Sequence, residues 1–165
     1  MATMPPPPCD HQQPPPHADR QPADQEPPGT QPSAAFWLTL PAQPAALSLI
    51  RERLRQWLQT HRWPNAEIED LVLAVNEAAS NVVEHAYLQE VLGNMEIAGR
   101  VTVKSGGVRI AELTVQDHGR WRPIPKQSEN RRRGIPLMKA AVGELVIDGT
   151  DHGTRVQMRG RSVRP

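Results

Sequence analysis

Three polar residues recur at intervals of four along one stretch of the sequence: Glu77, Asn81 and His85. On a helix this spacing places them on one face. A carboxylate can accept a proton, an amide oxygen suits a hard cation and His supplies an imidazole, so the set suits a magnesium-bound phosphate. The same spacing is typical of a solvated helix face, and taken alone it favours that simpler interpretation slightly.

Three further segments combine glycine with polar residues. Asp117 and Gly119 stand at the end of a predicted strand, where the acid can accept a hydrogen bond and glycine lets a ligand approach the backbone. Gly134 precedes a predicted helix that begins at Ile135, and free N–H groups at a helix start favour phosphate. Thr154 follows a glycine at a predicted strand start. Each segment alone is also an ordinary turn, helix entry or strand start.

Apolar periodicity predicts the helices and the first strand that position these residues. Apolar residues recur at helical spacing over 45–58, which predicts an amphipathic helix. A second, longer helix begins near Asn65, a predicted N-cap, and carries Glu77 and Asn81 beside its apolar stripe. The β-prone run 36–40 ends before a proline, which removes a ladder donor.

Two predicted hairpins complete the fold. Segments 95–104 and 108–116 are β-prone and are joined by a Ser-Gly-Gly turn, in which glycine supplies the positive φ. Segments 145–147 and 154–158 form a closing pair, and 118–133 is a long polar loop. Hairpins with helices gathered between them predict an α+β fold, in which an antiparallel or mixed sheet carries helices on one face.

Composition divides the chain of 165 residues into two parts. Eleven of its 18 prolines fall in residues 1–33, a segment without an apolar set, which we predict to be a disordered tail. Residues 34–165 then form one domain, with a net charge of +4 once the acidic tail is set aside. That charge is too mild to indicate nucleic acid binding, and the basic excess lies in one loop without a recognition helix.

Location and redox chemistry follow from what the sequence lacks. No apolar run is long enough to span a bilayer, and residues 1–10 have neither a basic nor an apolar leader region. The single Cys9 excludes an intrachain disulfide and a cysteine metal cluster. We therefore expect a cytoplasmic protein with no membrane partner.

Taken together, the four segments resemble the nucleotide boxes of the histidine-kinase-like ATPases, the superfamily of gyrase, MutL and the sensor kinases. Segment 73–87 closely resembles the helix signature of the anti-sigma-factor serine/threonine kinases of the RsbW and SpoIIAB type. Segments 116–123 and 133–138 resemble the second and third boxes of the same family. The resemblance covers residues 34–160 and implies a two-layer Bergerat-type ATP-binding fold with a mobile lid.

By this resemblance, each site residue acquires a role toward ATP and Mg²⁺. On the phosphate side, Asn81 would coordinate the metal, Gly134 would meet the phosphates and Glu77 would deprotonate a serine hydroxyl of a partner protein. Arg133 belongs to a basic loop over 120–133 that suits phosphate, although a solvated loop explains its charge equally well. In this loop Arg132 replaces a glycine that is usual in the family.

On the base side, the resemblance implies that Asp117 would bind the adenine amine, Gly119 would admit the base and Thr154 would support Asp117. The implied function is a kinase that sequesters a sigma factor and phosphorylates an anti-sigma-factor antagonist protein on serine. The alternative is a non-catalytic nucleotide-binding regulatory module that acts by protein interaction only. A homodimer is implied by the resemblance alone.

Overall fold

The computed structural model describes residues 31–87, 93–119 and 133–164. These residues form five strands and three α-helices, in the order β1 Gln31–Pro41, α1 Pro44–Thr60, α2 Asn65–Asn81, β2 Asn94–Val103, β3 Arg109–Asp117, α3 Gly134–Ala141, β4 Glu144–Thr150 and β5 Gly153–Arg159. A π-helical turn, Val82–Ala86, continues α2, and a 3-10 turn joins β2 to β3. Across the three described ranges, none of the helices combines the length and hydropathy needed to cross a bilayer.

The sheet has the strand order β1-β2-β3-β5-β4, and each neighbouring pair of described strands is antiparallel. The predicted α+β class is confirmed. Because β5 lies between β3 and β4, the end of β3 comes beside the start of β5, where Gln116 pairs with Arg155. This order brings Asp117 and Thr154 onto neighbouring strands, one position beyond that pair.

One face of the sheet packs against the helices. Alternate residues of β2 and β3 are buried there, among them Met95, Ile97, Leu113 and Val115. The helices bury the stripes that their sequence periodicity predicts, which are Ile50, Leu54 and Leu58 on α1 and Ile68, Leu71 and Val75 on α2. The buried faces of the strands, with a period of two, and of the helices, with a period of 3.6, thus pack together in one apolar core.

The predicted turn between β2 and β3 is confirmed. Gly106 and Gly107 both have φ of 75°, a left-handed conformation that side chains rarely adopt. The prediction of Asn65 as the N-cap of α2 is wrong: Pro64 holds the cap position with φ −62° and ψ 139°, and Asn65 is the first helical residue. The fixed φ of proline is compatible with the extended backbone of a cap residue.

β1 is longer than the sequence predicts. It begins at Gln31, and residues 31–33 pair with the end of β2, with an irregularity of register between Ser33 and Phe36. The last three residues assigned to the tail therefore belong to the sheet. Proline and polar residues have low β propensity, so these residues are extended because they pair with β2 and not because of their local sequence. The disorder predicted for 1–30 and the lid predicted within 120–132 lie outside the described residues.

Candidate functional site

Glu77 and Asn81 lie one turn apart on α2, and both are half-buried. Gly134, the first residue of α3, lies directly against them. A Cβ atom at Gly134 would lie 3.2 Å from Oε2 of Glu77 and 4.0 Å from Nδ2 of Asn81. The structure therefore brings together the three residues that were predicted separately on two segments.

Packing along α2 holds α3 in this position. Met138 and Ala141 of α3 are buried in the same core as α2. Near the other end of α3, Arg161 donates to the carbonyl oxygen of Ala140 and lies 2.7 Å from Oδ2 of Asp70. Because Ala140 is tied to the first half of α2 and Gly134 lies by its last turns, the two helices run antiparallel.

The first turn of α3 carries the backbone N–H groups of the predicted phosphate side. Arg133 occupies the N-cap position and is exposed, and its carbonyl oxygen accepts the N–H of Leu137 at 2.9 Å. The N–H groups at the start of a helix have no intrahelical acceptor, and the helix dipole makes them attractive to an anion. This end of α3 lies beside Glu77 and Asn81, and the loop residues before Arg133 lie outside the described part of the chain.

Asp117 is the central residue of the predicted base side. It is 3% exposed, and it is the one buried charged residue among those that the structure describes. Its Oδ1 accepts the backbone N–H of Gly119 at 2.8 Å, which closes a tight turn at the end of β3. A buried carboxylate is stable only when it is hydrogen-bonded, so this turn gives Asp117 a fixed orientation.

Two glycines make close backbone contacts at this end of β3. Gly153, with φ of 134°, lies so near the Asp117 backbone that a Cβ atom would collide with its carbonyl oxygen. A Cβ atom at Gly119 would collide with the carbonyl oxygen of Ala86. Thr154 follows Gly153 on β5 and is half-buried. The structure thus places Thr154 beside Asp117, and its supporting role stays a prediction.

The contact between Gly119 and Ala86 joins the two sides of the site. Ala86 ends the π-helical turn that follows Asn81, so Gly119 contacts the same helical segment that carries Glu77 and Asn81. Single π-helical turns inside α-helices frequently occur at functional sites. Glu77, Asn81 and Ala86 thus follow one another along this segment, and Gly119 contacts its end.

His85 lies within this π-helical turn, four residues after Asn81. Its Nε2 lies 3.5 Å from Oε2 of the neighbouring Glu84. The turn changes the helical ladder from the i+4 pattern of α2 to an i+5 pattern. Sequence periodicity does not reveal this change, because the local residue types are those of an ordinary helix.

Tyr87 is a residue of this region to which the sequence analysis gives no role. Its hydroxyl accepts the backbone N–H of His118 at 3.0 Å and donates to the carbonyl oxygen of Asn94 at 2.6 Å. Burial raises the pKa of the Tyr87 phenol, the hydrogen bond from the backbone of His118 partly offsets this, and nearby Asp117 and Glu96 raise the pKa further. No spacing rule predicts such contacts across 31 residues of sequence.

The side chains present fit magnesium rather than a metal held wholly by protein. Among the described residues there is no cluster of three or more His, Cys, Asp or Glu side chains that could hold a metal. Glu77 and Asn81 offer a carboxylate and an amide oxygen near the start of α3. Mg²⁺ commonly takes one or two such oxygens and completes its octahedron with water and substrate phosphates.

Two known proteins resemble this chain. The chain is 38% identical over 60 residues to the serine-protein kinase RsbW of Bacillus subtilis (strain 168), a match over 36% of this chain and 38% of RsbW. The chain therefore spans well under half the length of this curated relative. It also resembles the crystal structure of the RsbU and RsbW domains of Rv1364c from Mycobacterium tuberculosis, with a TM-score of 0.61 and 28% identity over 81% of this chain and 34% of that one.

A family model described as the histidine kinase-like ATPase domain matches residues 40–160. This match covers more than half of the chain and contains all seven predicted site residues, from Glu77 to Thr154. The predicted resemblance to the RsbW kinases is confirmed. The chain belongs to the histidine kinase-like ATPase domain family.

Proposed function

We propose that this protein is an ATP-dependent serine/threonine protein kinase of the anti-sigma-factor type. The observation that carries the proposal is the meeting of Glu77, Asn81 and the N-terminus of α3 at Gly134. A proton acceptor, a hard oxygen ligand and free backbone N–H groups are what phosphoryl transfer requires of a protein once a metal is bound. The similarity to the serine-protein kinase RsbW over 60 residues supports the same conclusion.

ATP would lie with its base at Asp117 and its phosphates at Gly134. Asp117 would accept a hydrogen bond from the adenine amine, with Thr154 on the neighbouring strand in support. Gly119 would let the base approach its backbone because it has no side chain. The first turn of α3 and Arg133 would bind the phosphates through N–H groups and a guanidinium.

Glu77 would carry the chemical step. Its carboxylate would orient the acceptor serine and take its hydroxyl proton as the serine oxygen bonds to the γ-phosphorus. The bond from that phosphorus to the bridging oxygen of ADP breaks in the same transfer, and ADP leaves. Mg²⁺, with Asn81 as its protein ligand, would neutralise charge that gathers on the phosphate oxygens.

The protein partners are proposed from sequence similarity and not from the geometry of the site. The similarity to RsbW supports an anti-sigma-factor antagonist as the phosphorylated protein and a sigma factor as the sequestered one. We expect these exchanges to occur in the cytoplasm, with a homodimer as the working unit. The candidate role of the protein is then a switch in which nucleotide state and phosphorylation decide which partner is bound.

Affinity capture tests this role and separates it from the alternative of a non-catalytic regulatory module. The full chain is immobilised and exposed to cytoplasmic extract of its own cell, with Mg-ATP in one sample and Mg-ADP in another. Captured proteins are identified, purified and incubated with the chain and γ-labelled ATP. Label on a serine of a captured antagonist supports the kinase, whereas ATP binding and capture without any label transfer would support the non-catalytic module.

A further inference from the structure

The hydroxyl of Tyr87 joins three separate parts of the chain. Tyr87 follows the π-helical turn in an extended conformation, with φ −117° and ψ 146°. From there its hydroxyl reaches the first residue of β2, donating to Asn94, and the turn after β3, accepting from the N–H of His118. We call these two hydrogen bonds the Tyr87 clamp. Both use backbone groups, so the clamp fixes the course of the chain rather than any side chain.

Packing also fixes the position of the Tyr87 ring. Gly93 lies so close to it that a Cβ atom at that position would overlap the ring carbons. The ring is also half-buried and packs against the apolar core. Burial raises the pKa of the phenol, so the hydroxyl keeps its proton at neutral pH and can donate to Asn94. The position of the oxygen is therefore set by packing and not by the hydrogen bonds alone.

The clamp acts on the turn that carries the adenine acceptor. His118 lies between Asp117 and Gly119, the two residues of the base side. On the inner side of this turn, Gly119 donates to Oδ1 of Asp117. On the outer side, the N–H of His118 donates to Tyr87. With the outer bond removed, the turn keeps its internal closure, the contact of Gly119 with Ala86 and the side-chain contact of His118 with Glu96, but no hydrogen bond to its backbone comes from the α2 segment.

We propose that Tyr87 is a positioning residue that sets selectivity for the adenine base by holding the turn of Asp117 and Gly119 through its hydroxyl. This inference rests on the proposed function, in which Asp117 accepts a hydrogen bond from the adenine amine. A displaced carboxylate weakens a directional bond to that amine more than it weakens contacts with the phosphates. The hydroxyl should therefore matter for ATP and not for a nucleotide without the amine.

The test compares the affinities of Mg-ATP and Mg-ITP, whose base carries a carbonyl in place of the amine, by calorimetry on the full chain. Tyr87→Phe keeps the ring and removes the hydroxyl. We expect its ATP affinity to fall about three- to tenfold, the range of one or two net hydrogen bonds, with the ITP affinity nearly unchanged. The matched control is Thr60→Val, which removes a hydroxyl bonded to the carbonyl oxygen of Trp57 far from the site and should change neither affinity.

An equal loss for both nucleotides, or no loss for either, would overturn the role of Tyr87 while leaving ATP binding intact. A native chain without affinity for ATP would instead overturn the proposed function and this inference with it. Hydrogen exchange of the His118 amide in the native chain gives a second readout that needs no variant. Mg-ATP should slow this exchange more than Mg-ITP does, and equal slowing at saturation would contradict the proposal.

Discussion

Gly134 lies against the carboxylate of Glu77, close enough that a Cβ atom on the glycine would be 3.2 Å from Oε2. This distance is short, but the Glu77 carboxylate could shift to relieve it, because it is the end of a flexible side chain. Glycine at this position therefore leaves room for Glu77 to adopt the orientation that a serine hydroxyl requires. The proposed catalytic geometry therefore depends on Gly134 having no side chain.

Gly134→Ala should separate stability from catalysis. Alanine has a better helix propensity than glycine, so thermal stability should stay the same or rise slightly. The added methyl group should displace the Glu77 carboxylate by a few tenths of an ångström and lower serine phosphorylation by roughly tenfold. A melting curve and a single-turnover transfer assay measure the two effects, and a variant as active as the native chain would show that the contact has no catalytic consequence.

Asn81→Ala should abolish magnesium-dependent ATP binding, because it removes the amide oxygen proposed as the metal ligand. Calorimetry with and without Mg²⁺ measures this. Asn76→Ala is the matched control on the same helix: Asn76 accepts a hydrogen bond from Arg51 at 2.8 Å, so its loss should cost stability and leave Mg-ATP affinity unchanged. Native affinity in the Asn81 variant would remove this residue from the site.

Gly153→Ala should unfold the base side of the site or weaken the whole fold by roughly 2–4 kcal/mol. The residue has φ of 134°, and a Cβ atom would collide with the backbone of Asp117. Gly106→Ala provides the comparison, since its φ is 75° but nothing lies within 4 Å of the added atom. It should cost only about 1 kcal/mol of backbone strain. Urea unfolding measures the loss of unfolding free energy in both variants. An equal loss would contradict the prediction that the collision with Asp117 destabilises the fold.

The sequence was sufficient for the features that local chemistry determines. The glycine turn between β2 and β3 and the buried stripe of α2 follow from residue type and spacing, and the structure agrees with both. The four segments are identified as nucleotide boxes only through the family resemblance, and the family model spans all of them. The meeting of Gly134 with Glu77 could be anticipated only through family resemblance. Nothing local to either residue indicates that a helix 57 positions away would pack there.

Three features could not be predicted because tertiary contacts decide them. The π-helical turn after Asn81 changes the backbone ladder without changing the residue pattern. The start of β1 at Gln31 depends on pairing with β2 rather than on propensity. The contacts of Tyr87 join residues from three elements, and no periodicity links them.

The most direct test of the central claim is Glu77→Gln, assayed for both nucleotide binding and serine phosphorylation of the captured antagonist. The amide keeps the shape of the side chain and loses its basicity, so Mg-ATP should still bind while transfer falls by roughly two to four orders of magnitude. Glu69→Gln, at an exposed position on the same helix that pairs with Arg55, should leave both unchanged. Transfer at the native rate by the Glu77 variant would contradict the assignment of Glu77 as the catalytic base.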